Sequence, residues 1–216
     1  MSGVLLASGA AAALLASTLT ASTVSAQEET VPTEKIQLSV NTVNGSGCPA
    51  GTAAVAVSPD NTAFTVTYSD YLAQVGVGAS PTDFRKNCQL NLDVHVPQGF
   101  TYAIAKVDYR GYGYLEDGAS GLQKASYYHQ GSSDTGTTSR TFKGPFDNNW
   151  QASVSKEYGE LVWAPCGVKR NFNINTELRV DGGDSDTKST TSFMTMDSTD
   201  AAVSTVYHMA WKECGS

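Results

Sequence analysis

The stretch CQLNLDVHV, Cys88 to Val96, alternates apolar and polar residues without a break. Cys88, Leu90, Leu92, Val94 and Val96 share one parity; Gln89, Asn91, Asp93 and His95 share the other. Successive side chains of a strand point to opposite faces, so this period predicts a β-strand with one buried and one wet face. FNINTELRVD, Phe172 to Asp181, repeats the pattern, with Phe172, Ile174, Leu178 and Val180 inward and Asn173, Asn175, Glu177 and Arg179 outward. A face buried on one side only must find a second layer, and two packed sheets are the common solution.

The rest of the chain reads as further strands and turns. Ile36 to Val43 alternates, and Thr52–Ser58 with Thr62–Ser69 forms a hairpin around Pro59-Asp60-Asn61. Phe100 to Arg110 is rich in β-formers, and Gly111-Tyr112-Gly113-Tyr114 reads as a break after it. Ser139–Lys143 and Glu160–Ala164 are short enough to pair only briefly; Ser192–Met196 and Val203–Cys214 close the fold. One turn of helix is expected near Tyr71 to Val75 and none elsewhere. The expectation is an all-β, disulfide-bonded, antiparallel β-sandwich: a single domain over residues 36–216, with no internal repeat.

Cysteine usage and the amino-terminal segment indicate the compartment. Val4 to Leu15 is an apolar run, and Val24-Ser25-Ala26 offers small residues for cleavage, so residues 1–26 read as an export signal. The run is short and interrupted by Ser and Gly, which argues against a membrane anchor. Residues 27–35 read as a flexible leader. Four cysteines in an exported chain imply two disulfides with three available connectivities. Local closure favours Cys48–Cys88 and Cys166–Cys214, each contributing on the order of 3–4 kcal/mol through loop-closure entropy. No CxxC pair exists, so zinc is a poor reading. Asn44-Gly45-Ser46 is an N-glycosylation sequon.

A formal net charge of -7, none of it in residues 1–26, repels phosphate backbones and disfavours nucleic acid as a partner. After signal cleavage no segment is apolar enough to span a bilayer. The motifs GSGCPAGT, DFRKNCQLNLDVHVPQGF, YRGYGYL, WAPCG, NINTELR and YHMAWKEC together resemble the secreted family known as domain of unknown function 4360. The resemblance spans almost the whole mature chain. It implies an exported, disulfide-bonded β protein of fungi or bacteria, and it brings no catalytic residue with it.

Candidate chemistry is sparse. Gln89, Asn91, Asp93 and His95 form one polar row, expected to be solvated; Asp93 and His95 are the nearest candidates for a small hydrolase acting through acidic residues. His129 and His208 read as ordinary packed or surface residues. No GxSxG elbow or HExxH pair is present. A copper monooxygenase needs a histidine at the mature amino terminus, where cleavage after Ala26 leaves Gln27 and cleavage at the second choice, Leu19-Thr20-Ala21, leaves Ser22. Asp181, Asp184 and Asp186 in DGGDSD are oxygen ligands suited by type to Ca²⁺, the one cofactor the sequence suggests, but their spacing is not that of an EF-hand and turn chemistry explains them equally. Tyr112 and Tyr114, spaced by glycines, and Trp150 in the polar turn FDNNW suit sugar recognition, in which a ring stacks on the sugar's apolar face and amides bind hydroxyls. The reading leans away from an enzyme. It favours a non-catalytic protein that binds an extracellular polysaccharide or a host protein; a secreted effector or inhibitor acting on a foreign protein is the other alternative.

Overall fold

The computed structural model describes residues 30–196 and 204–215. The expected export signal and the start of the leader lie outside them. Twelve strands are present among the described residues: β1 (Gln37–Asn44), β2 (Ala53–Val57), β3 (Ala63–Tyr68), β4 (Leu72–Gly76), β5 (Arg85–His95), β6 (Phe100–Leu115), β7 (Ser120–His129), β8 (Gly136–Lys143), β9 (Phe146–Ser155), β10 (Phe172–Asp181), β11 (Thr191–Thr195) and β12 (Thr205–Glu213). A single 3-10 turn covers Tyr158–Glu160. The strands make two antiparallel sheets. One is five-stranded, in the order β1-β5-β10-β7-β8. The other is seven-stranded, in the order β2-β3-β12-β6-β11-β4, with β9 on the other side of β6.

The alternating strands sit as their pattern demands. Cys88, Leu90, Leu92 and Val94 of β5 and Phe172, Ile174, Leu178 and Val180 of β10 are buried. They face an aromatic core from the other sheet, where Phe64 stacks on Tyr207 at 4.8 Å and meets Phe172 edge-on at 6.2 Å. Aromatic side chains contribute the most buried apolar area per residue, and edge-to-face pairs add to it. The disulfides are Cys48–Cys88 and Cys166–Cys214. The first ties the β1–β2 connection to the middle of β5; the second ties the loop after the 3-10 turn to the end of β12. The end of the leader is fastened rather than loose: the buried Asn61 donates from Nδ2 to the carbonyls of Pro32 (2.8 Å) and Glu34 (2.9 Å), and its Oδ1 accepts from the Ile36 amide (3.2 Å).

Four local expectations are corrected. Tyr71–Val75 is not helical; Leu72–Gly76 is strand β4, held in register by β11, and the buried Tyr71 hydroxyl meets Thr176 Oγ1 at 3.1 Å. The Gly-Tyr repeat does not break the chain, because β6 runs through it to Leu115. FDNNW is not a turn but the first half of β9, so Trp150 lies inside and is 3% exposed. Glu160–Ala164 forms no strand; isolated hydrogen bonds tie it to the sheets, the Val162 carbonyl lying 3.3 Å from His129 Nε2 on β7, the Ala164 amide donating to the Tyr102 carbonyl (2.9 Å) and the Ala164 carbonyl accepting from Thr101 Oγ1 (2.6 Å).

Candidate binding faces

Each sheet has one outer face, and the polar row of β5 lies on that of the five-stranded sheet. Gln89 and His95 are exposed, whereas Asn91 and Asp93 are half-buried. Asp93 departs from the solvated expectation. Its side chain is 26% exposed, Oδ2 pairs with Lys169 Nζ at 2.6 Å, and Oδ1 is buried without a hydrogen-bond partner. No hydrogen bond or ion pair joins it to His95 among the described residues, so the acid–histidine pair that a hydrolase needs is not assembled there. Asp93→Asn should cost up to about 1 kcal/mol, the ceiling for an exposed ion pair, and His95→Gln less than about 0.5 kcal/mol. Urea midpoints of the two variants check both values.

Asn91 anchors an amide ladder. Its Oδ1 accepts from Asn41 Nδ2 (3.2 Å) and Asn171 Nδ2 (2.9 Å), and its Nδ2 donates to Asn173 Oδ1 (2.8 Å). Beside it lies a shallow hollow of about 490 Å³ lined by Asn44, Gln89, Asn173, Asn175 and Tyr128 among others.

The outer face of the seven-stranded sheet is different in character. Along β6 it carries Lys106, Asp108, Arg110, Tyr112 and Tyr114, while the intervening residues point inward. The reason is steric. A Cβ at Gly111 would overlap the Thr195 carbonyl and the Trp150 ring, and one at Gly113 would lie 3.2 Å from the Phe146 ring. The glycines make room for Trp150 beneath the sheet, and the tyrosines between them are left outside. Trp150 Nε1 donates to the Tyr112 carbonyl at 3.1 Å, bracing the strand from within. Trp150 is therefore a support for the tyrosines and not part of the exposed surface.

Register extends the tyrosines into a platform. Tyr112 is paired with Thr195 and Asn149, and Tyr114 with Phe193 and Asp147. The Phe193 ring lies 5.9 Å from that of Tyr112 and 6.0 Å from that of Tyr114. Both hydroxyls are held: Tyr112 donates to Asp147, and Tyr114 to Glu116 at 3.0 Å. Those hydrogen bonds to carboxylates, first among the causes, raise both phenol pKa values. Tyr114 is 36% exposed and Leu72, one row away across β11, is 37% exposed. Phe193 could be singled out in sequence only as one residue of a short strand; its partnership with the tyrosines arises from pairing across the sheet.

Next along β6, Asp108 joins three strands. Its carboxylate accepts from Ser153 Oγ on β9 (2.6 Å) and from His208 Nε2 on β12 (2.9 Å), and pairs with Lys106 Nζ (2.9 Å). Burial raises the Asp108 pKa, but the bonds from Ser153, Lys106 and His208 outweigh that effect and hold it well below the ordinary carboxylate range. Ser153 donates to the acid and not to the histidine, so it has no base to activate it as a nucleophile. His129, by contrast, is packed between Tyr102 and Phe172 at 5.2 and 5.3 Å, and desolvation lowers its pKa.

The aspartates of DGGDSD make turn contacts. Asp181 Oδ1 accepts from the Gly183 amide (2.9 Å); Asp186 accepts from the Lys188 amide (3.1 Å) and Ser189 Oγ (2.6 Å). Among the described residues no group of three or more His, Cys, Asp or Glu side chains is placed to hold a metal ion, so Asp181, Asp184 and Asp186 do not converge on one. No helix among the described residues is long and apolar enough to cross a membrane.

An uncharacterized secreted protein of Arthroderma benhamiae (strain ATCC MYA-4681 / CBS 112371) is 36% identical over 181 residues, covering 84% of this chain and 73% of the relative. Two disulfides and a secreted relative place the protein among exported proteins. The model of the domain of unknown function DUF4360 matches residues 34–214, and the chain belongs to that family.

Proposed function

We propose that the protein binds an extracellular polysaccharide on the outer face of its seven-stranded sheet, without turning it over. The observation that carries this reading is the outward-facing aromatic cluster Tyr112–Phe193–Tyr114, with Tyr114 exposed and the other two rings half-buried; the glycines and Trp150 beneath β6 leave its two tyrosines outside. Rings fixed on a flat sheet are preorganised, so little side-chain entropy is lost when a sugar ring stacks on them. Asn149, Asp147 and Glu116 at the margin are suited to the hydroxyls. Retention on insoluble chitin, β-glucan and cellulose tests it. The native protein should be retained by at least one of them, and Tyr112→Ala combined with Tyr114→Ala should weaken retention more than about tenfold, the loss expected when central aromatic contacts are truncated. Equal retention of the native protein and the double variant, with the variant's fold intact, would refute the reading.

A further inference from the structure

We infer that Asn44 carries an N-linked glycan whose first sugars lie in the amide-lined hollow on the outer face of the five-stranded sheet. Asn44-Gly45-Ser46 is a sequon, and Asn44 is the exposed last residue of β1. It is paired with Gln89, so its side chain shares the outer face with that residue, and it forms part of the hollow's wall. At about 490 Å³ the hollow is within the range of roughly 300–1,000 Å³ typical of small-ligand sites.

The lining matches a sugar in kind. Register places Asn44, Gln89, Asn175 and Ser126 in one row and Thr42, Asn91, Asn173 and Tyr128 in the next. Three strand spacings separate the ends of each row, roughly 14 Å at about 4.8 Å per strand. Asn91 and Asn173 are fixed by the ladder. Among the described residues Gln89, Asn175 and Tyr128 make no side-chain hydrogen bond to one another or to any neighbour, leaving two amides and a phenol for hydroxyls and acetamido groups.

The attachment is a group transfer on the chain before it folds. A bond forms between Asn44 Nδ2 and the anomeric carbon of a lipid-diphosphate-linked oligosaccharide. The bond from that carbon to the diphosphate oxygen breaks, the electron pair leaves with the diphosphate, and the amide proton is lost to base. Folding then closes the sequon: Gly45 has φ 143°, a Cβ there would strike the Asn87 carbonyl, and Ser46 Oγ donates to Asn87 Oδ1 at 3.1 Å.

The full chain, secreted from a eukaryotic host, supplies the test. Peptide mapping after release by peptide:N-glycosidase in heavy-isotope water should find the label at position 44, and Asn44→Gln should remove it. Release from the folded protein should be slow, and Tyr128→Ala or Asn175→Ala should accelerate it about tenfold, a loss of about 1.4 kcal/mol in protection, with no difference after denaturation. An unoccupied Asn44 would overturn the assignment. An occupied Asn44 whose glycan is released equally fast from the native protein and both variants would overturn its placement in the hollow.

Discussion

Gly111→Ala should destabilise the protein by at least about 3 kcal/mol, the upper end for forcing extra volume into a packed interior, and Gly111→Val should leave no folded protein to recover. The new Cβ meets two neighbours that cannot both retreat: the Thr195 backbone carbonyl and the Trp150 ring. Moving the first breaks the pairing of β11 with β6; moving the second strips the indole from beneath the tyrosines. Gly113→Ala is the matched control. Its Cβ meets only the Phe146 ring at 3.2 Å and Trp150 Cδ1 at 3.6 Å, and a ring that can tilt by a few tenths of an ångström keeps the cost near about 1 kcal/mol. Urea unfolding of the two variants side by side decides the matter, since equal midpoints would contradict the steric account.

Asp108→Ala should cost about 2–4 kcal/mol. The carboxylate takes three charge-assisted or hydroxyl hydrogen bonds from three strands while only 4% exposed, and losing it leaves Ser153, Lys106 and His208 without their common partner. The cost stays below that of a fully buried pair because Lys106 and His208 remain 44% and 40% exposed and can turn to water. The pH dependence follows from the direction of the shift. The folded pKa is depressed, so the contribution is complete above the unfolded carboxylate value of about 3.9 and is lost as pH falls below it toward the folded value. Chemical unfolding between pH 5 and pH 2, an interval of about 3 units around that value, should show a steeper decline for the native protein than for Asp108→Ala. Parallel declines would mean that Asp108 is not the group responsible.

Period-two patterning was enough to read β5 and β10, because one residue in two is apolar and the others are wet. Sequence spacing also favoured the two disulfides found, since each closes a local loop of 40 or 48 residues. The Gly-Tyr repeat misled for a physical reason. Glycine is a turn signal when nothing is known of its surroundings, yet Gly111 and Gly113 serve here as space for an indole from a neighbouring strand. That indole belongs to Trp150, separated by a hairpin's length of chain, so no local window contains both. Asp108 escaped for the same reason: its partners Ser153 and His208 are 45 and 100 residues away, and only the pairing of β6 with β9 and β12 brings them to it. Asp93 and His95 were conspicuous as neighbours of one parity, yet the partner of Asp93 is Lys169, from a loop with no pattern to betray it.

The two sides of β6 answer to separate demands. Inward, Gly111 and Trp150 admit almost no change without loss of the fold, and Gly113 admits only a small side chain. Outward, Tyr112 and Tyr114 touch other surface groups, and neither ring is needed to fill the interior. Substitutions in the outer row can therefore change the chemistry that this face presents while the strand, its register and its thermal tolerance are kept.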